Sequence, residues 1–220
     1  MLITYEDVKK NEKVNAYIKK ADESLKAMGF TEHSFAHVTK VAENAGMILT
    51  KLGYSQREAE IARIAGYLHD IGNVVNRIDH AQSGALIAFR ILENMGADAE
   101  TVSTIVTAIG NHDESTAFPV NPVAAALIIA DKTDVIYTRV RNREPSTFDI
   151  HDRVNYAVKK SDLEIDVEKC EIVAKLRIDI TMCTVMDYFE IFLGRMVLCR
   201  KAADKLGMKF TLRINGQKLL

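Results

Sequence analysis

Along the first two thirds of this chain, apolar residues recur at the three-to-four spacing of a single helical face, and most runs end at a glycine. The pattern predicts a first helix from about Tyr5 to Met28, capped by Thr4 and stopped by Gly29. A second spans about Ser34 to Leu52 and ends at Gly53. Ser55-Gln-Arg-Glu58 is a capping box, in which serine and glutamate satisfy the free amides of a helix start. The helix it opens carries Ile61, Ile64, Ala65 and Leu68 on one face and stops at Gly72. Asp79 opens a helix ending near Gly96, and Asp98 one ending near Gly110. Asn121-Pro122 supplies a cap and a first-turn proline for a long helix from Val123 to about Arg141.

After Pro145 the period changes. Ile172, Ala174, Leu176, Ile178 and Ile180 alternate with mostly polar residues, as do Leu163, Ile165 and Val167, and the Glu168–Cys170 link predicts a hairpin. A long amphipathic helix follows, capped by Thr184 and Asp187 and stopped by Gly207. Its face of Val185, Phe189, Phe192, Met196 and Cys199 is expected to cover one side of the hairpin. Phe210, Leu212 and Ile214 alternate once more before an Asn215-Gly216 turn. The expected fold is mostly α: a helical domain over residues 1–145, then a small α+β subdomain, an antiparallel sheet plus a helix, over residues 146–220. There are no internal repeats or low-complexity tracts.

Composition narrows the classes. With 220 residues, 48% apolar and a net charge of −1, the chain has an ordinary globular balance. No field of one sign argues for a nucleic acid polymer or an anionic membrane. The longest apolar stretch, Val123 to Ala130, is too short to span a bilayer, and the N-terminal stretch has no signal-peptide core. Cys170, Cys183 and Cys199 form no C-x-x-C pattern and read as reduced thiols. These features predict a cytoplasmic protein.

The six histidines carry the chemistry. His69-Asp70 closes the capped helix, inside Tyr67-Leu-His-Asp-Ile-Gly72. Ile64, Leu68 and Ile71 surround the pair, so its carboxylate is expected to be half-buried, which is costly unless compensated. Metal ligation would remove that cost, and at a helix end both side chains can reach one ion. His37, His80, His112 and Asp131 each lie on or beside a different predicted helix, and a bundle can point such residues into one interior pocket.

The series of a histidine, then His-Asp, then a distant aspartate resembles the HD superfamily of metal-dependent phosphohydrolases. The resemblance runs from about Phe30 to Arg143 and implies an HD-type helical bundle. His37, His69, Asp70 and Asp131 match its four positions, and His80 and His112 resemble the extra histidines of members that bind two metals. It implies one or two divalent transition metals (Fe, Mn, Co, Ni or Zn), with Asp70 bridging and catalytic, and a water attacking a small phosphorylated substrate such as a nucleotide. Lys132, Arg139 and Arg77 are the candidates for holding substrate phosphate. His33 is expected to be peripheral, and His151 has no assigned role. Asn73 stands where the family often has a lysine, and Asp113 where a second histidine often follows, so Asp113 either replaces a ligand or is exposed. The absence of an Asp-Gly-x-Gly-Tyr-Pro segment after Glu114 argues against a cyclic-dinucleotide esterase. Two alternatives remain at this level: a di-iron oxygenase of HD type, and a non-catalytic ligand-binding or regulatory module. In the latter, the C-terminal sheet could serve as a homodimerisation or sensing element.

Overall fold

The structure, a computed structural model, describes residues 2–219. The N-terminal apolar run forms two helices, α1 (Tyr5–Lys10) and α2 (Glu12–Ala27), in place of the single predicted one. Asn11 separates them with extended backbone (ψ 117°), and its side chain accepts from the amides of Lys13 and Val14. Asparagine favours this local capping over helix continuation. Next come α3 (Phe35–Lys51), capped by Ser34, and α4 (Gln56–Leu68), where both halves of the Ser55/Glu58 capping box form. These are followed by α5 (His80–Asn94) and α6 (Ala99–Gly110), the latter capped by Asp98.

Helix α7 (Pro122–Lys132) begins at the predicted cap but ends well before Arg141. Tertiary partners take over its last carbonyls and the residues beyond. Ser161 Oγ donates to the Thr133 carbonyl at 2.7 Å, and Arg139 Nη1 to the Asp134 carbonyl at 2.7 Å. A short 3-10 turn, Tyr137–Arg139, follows. Residues Val123 to Ala130 are all buried, so α7 is the central helix of the bundle.

The C-terminal stretch opens with a helix the periodicity did not predict, α8 (Ile150–Ala157), capped by Asp149. Strands β1 (Val158–Asp166) and β2 (Glu171–Ile178) form the expected hairpin. Helix α9 (Val185–Lys205) then leads to β3 (Lys209–Ile214) and β4 (Gln217–Lys218), and the sheet order is β1-β2-β3-β4. The expectation of a wholly antiparallel sheet is corrected: β3 pairs with β2 in parallel, Glu171 opposite Lys209 through Leu176 opposite Ile214. A helical crossover returns the chain to the same end of the sheet, and this makes the pairing parallel. Ile180, expected to extend the strand, lies beyond it and is exposed.

Helix α9 packs on β3 with one flank and on α7 with another. Phe192, Met196 and Cys199 are buried as expected, joined by Tyr188, whereas Val185 and Phe189 are only partly covered. One apolar cluster runs from Ile3 through the α7 core to Ile214. Helices α3 and α4 meet closely because Gly66 has no side chain: a Cβ there would lie 2.7 Å from the Ala42 Cα. That approach brings the start of α3 and the end of α4 to one place.

Candidate metal centre

Six side chains from five helices converge at the bundle interior. His37 sits in the first turn of α3, and His69-Asp70 at the end of α4. His80 starts α5, His112 follows α6, and Asp131 is in the last turn of α7. The four histidines and Asp70 are buried. His69 Nε2 lies 3.2 Å from Asp70 Oδ2 and 3.7 Å from Asp131 Oδ1. His37 Nε2 lies 3.6 Å and 3.5 Å from the same two oxygens. His80 Nε2 lies 3.4 Å from the other Asp70 oxygen, Oδ1. The His112 ring stands edge-on to both His69 and His80, with centroids 5.0 and 5.1 Å away. Asp70 therefore has one oxygen in each half of the cluster.

The second nitrogen of each ring is already committed. His69 Nδ1 donates to the Gly66 carbonyl at 2.7 Å, His112 Nδ1 to that of Ile109 at 2.6 Å, and His80 Nδ1 to that of Arg77 at 3.1 Å. His37 Nδ1 instead meets Asp134 Oδ2 at 2.7 Å. With its proton on Nδ1, an imidazole presents its Nε2 lone pair to the cluster, where that of His80 also meets Arg77 Nη1 at 3.3 Å. Acceptors then face acceptors, and the Nε2 atoms of His37 and His69 are buried without a hydrogen-bond partner. A cation between them resolves that conflict. Three sets, His37/His69/Asp70, His69/His112/Asp131 and Asp70/His80/His112, each have ligand atoms mutually within 4.8 Å. The mixed N/O donor set suits a divalent transition metal, and the carbonyl or carboxylate behind each ring is the usual orienting partner of a ligating histidine.

The electrostatics agree. Burial opposes ionisation of Asp70, but the imidazoles of His69, His33 and His80 outweigh it and hold the carboxyl well below the usual range. Burial likewise opposes Asp131, and Lys132 together with His37 and His69 outweighs it. Burial, helped by His69 and Lys132, pushes His112 down to about 3. His80 is lowered by burial, with Asp70 opposing and Arg77 assisting. His69 goes the other way: burial opposes its protonation, and the Asp70 and Asp131 charges outweigh that. Two anionic carboxylates, beside His80 and His112 that burial holds neutral, make a cation site.

Sequence reasoning missed several surrounding residues. Asp134 orients His37 and is itself held by Lys40 Nζ at 2.7 Å. Asn73, in place of the family's lysine, donates to Asp70 Oδ1 at 3.0 Å and fixes the carboxylate's plane. His33, expected to be peripheral, packs edge-on against His37 with centroids 5.4 Å apart. It lines a cavity of about 320 Å³ that opens onto Asp70, His80, His112 and Asp131. The three basic candidates line the same cavity. Lys132 Nζ is 2.8 Å from Asp131 Oδ2; Arg139 is engaged with Asp134 and the Glu32 carbonyl; Arg77 approaches Asn73 and His80 Nε2. Asp113 Oδ1 lies 3.9 Å from His80 Nε2, at the margin of the cluster. Asp149, His151, Asp152, Phe192 and Arg195 complete the wall from α8 and α9, and His151 thereby acquires a place at the site.

Residues 34–136 match the family model of the HD domain, as the histidine–aspartate series led us to expect, and all six converging residues lie inside that stretch. An uncharacterized protein of Methanocaldococcus jannaschii, MJ1020, is 27% identical over 190 residues, covering 75% of this chain and 72% of that protein. Among solved structures, a predicted HD superfamily hydrolase from an uncultured Thermotogales bacterium is 28% identical. The match covers 56% of this chain and 67% of that one, with a TM-score of 0.45. Among the described residues no helix is long and apolar enough to cross a membrane.

Proposed function

We propose that this chain is a metal-dependent phosphohydrolase that cleaves a phosphate ester or anhydride of a nucleotide or another small phosphorylated molecule. The observation that carries the reading is the convergence of four oriented imidazoles on Asp70, whose two oxygens lie in different halves of the cluster. His37, His69, Asp70 and Asp131 would hold one divalent ion (Fe, Mn, Co, Ni or Zn), and His80 and His112, with Asp70 shared, a second. Such ions lower the pKa of water to about 7 in the best-known cases and offset charge on phosphoryl oxygens. Asp70 is the catalytic carboxylate in this reading, because its two oxygens reach both halves and it lies on the cavity wall. Its depressed pKa keeps it an anion, able to orient a water and accept its hydrogen bond. Lys132 places a cation beside Asp131, where developing phosphoryl charge needs it, and Arg77 supplies a donor beside His80. Arg139 supports the loop after α7 from within the cavity. Asn73 and Asp134 keep the ligands in register.

The test pairs elemental analysis of the isolated protein with a panel of nucleotides and phosphate esters, comparing wild type with His69→Ala and His80→Ala. The expected result is hydrolysis by wild type and loss of about a hundredfold or more in both variants, with metal content reduced. A metal-loaded wild type that hydrolyses no member of the panel, or a His69→Ala variant as active as wild type, rejects the reading.

A further inference from the structure

The wall contributed by α9 carries a cation outside the stretch that matches the HD domain. Phe192 and Arg195 lie one helical turn apart and both line the cavity. The guanidinium sits 4.5 Å from the Phe192 ring centroid, which restricts its orientation before any ligand arrives. Arg195 Nε is 2.5 Å from Glu114 Oε1, yet off the line of a hydrogen bond, and this buried N–H has no hydrogen-bond acceptor. Among the described residues, neither Nη of Arg195 has a hydrogen-bond or ion-pair partner. Arg139 differs, since Nε and Nη1 already serve the Glu32 and Asp134 carbonyls, and Arg77 already gives Nη1 to Asn73 and His80. Among the described residues, Arg195 thus commits none of its N–H groups to a hydrogen bond.

Glu114 stands between two cations, 3.5 Å from Lys132 Nζ as well as 2.5 Å from Arg195. Lys132 in turn lies 2.8 Å from Asp131 Oδ2. Charges therefore alternate from the cluster outward: Asp131, Lys132, Glu114, Arg195. Glu114 belongs to the loop after α6 and its side chain is 37% exposed, so it can turn to water at small cost. Once it turns, an arginine fork and a lysine face the cavity beside Asp131, a pairing that suits two or more oxygens of a tetrahedral phosphate group.

We infer that Arg195 binds a phosphate group of the substrate, and that Glu114 is a placeholder carboxylate which this phosphate displaces from Arg195 and Lys132. The inference rests on the hydrolase reading for the identity of the anion. It assigns recognition to a helix beyond the HD-matching stretch. Inorganic phosphate and pyrophosphate are the probes, titrated calorimetrically into metal-loaded wild type, Arg195→Met and Glu114→Gln, with metal content measured in each. In Arg195→Met at least one probe should bind roughly tenfold or more weakly, at unchanged metal content. A loss for both places Arg195 on the reacting phosphate, and a loss for pyrophosphate alone places it on a neighbouring one. Glu114→Gln should bind the same probe several-fold more tightly, because the competing charge is gone. Affinities in Arg195→Met within twofold of wild type, or no tightening in Glu114→Gln, overturn the inference. If Arg195→Met fails to fold, the Glu114→Gln measurement decides alone. A protein that binds the probes as described but hydrolyses nothing would reject the hydrolase reading and leave this seat standing.

Discussion

His37 shows how a single side chain depends on distant sequence. Its Nδ1 is held by Asp134, a residue 97 positions away, and Asp134 is kept ionised by His37, Arg139 and Lys40 against the cost of burial. An anionic partner raises the basicity of a ligating imidazole and fixes its tautomer. Replacement by alanine, Asp134→Ala, should weaken metal binding about 10–100-fold in a chelator competition, with His69 and Asp70 untouched. Unchanged affinity would mean that the ring keeps its orientation without the carboxylate. The six converging residues could be read from the chain, because a carboxylate set among apolar neighbours needs a compensating cation, and histidines on separate helices can gather around one. Asp134 could not be read in the same way. The predicted helix ran on through it to about Arg141, whereas the helix ends at Lys132 and the side chain acts from the loop beyond. Arg195 was invisible for a related reason: only the packing of α9 on α7 brings it to the site.

Among the elements, those with explicit ends were the most legible. Ser55 with Glu58, Asp98 and Asn121-Pro122 marked starts that the structure keeps, because a cap satisfies amides whatever the tertiary setting. Three features escaped. Asn11 interrupts an otherwise continuous periodic run, α8 is short and polar, and alternation at period two does not tell parallel from antiparallel pairing. The turn after His69-Asp70 exposes another dependence. At Gly72, an added Cβ would collide with the His80 carbonyl and the Gly84 amide, so the turn lies directly on the start of α5. Gly72→Ala should therefore destabilise the protein by about 1–3 kcal/mol in urea unfolding and also weaken binding in the half of the cluster that holds His80. Gly194→Ala is the matched control. Nothing lies near its Cβ position, and alanine in the exposed interior of α9 should add about 0.5–1 kcal/mol. Equal effects at the two sites would contradict the close approach.

For the molecule as a whole, the titratable groups give stability a definite pH slope once metal is removed with a chelator. His33, His80 and His112 have folded pKa values below their unfolded value of about 6.5, so unfolding takes up protons as pH falls through that value. Each costs stability below about pH 6.5 and nothing above it. The raised pKa of His69 works in the opposite direction, one group against three. The depressed Asp70, Asp131 and Asp134 add stability above about pH 4 that is lost as the medium becomes more acid. The chelated protein should therefore melt at progressively lower temperature from pH 7.5 to 5, and more steeply below 4. Metal at a hundred times its dissociation constant should add about 2.7 kcal/mol, or about 5–11 °C, at pH 7.5. A melting temperature that is flat between pH 7.5 and 5, or insensitive to metal, would contradict the charge assignment. The cavity also has a divided parentage. Asp70, His80, His112 and Asp131 line it from within 34–136, while Phe30, His33, Arg139, Asp149, His151, Asp152, Phe192 and Arg195 reach it from outside that stretch. Substitutions in the flanking segments would therefore re-tailor which molecule the cavity admits while leaving the six converging side chains in place.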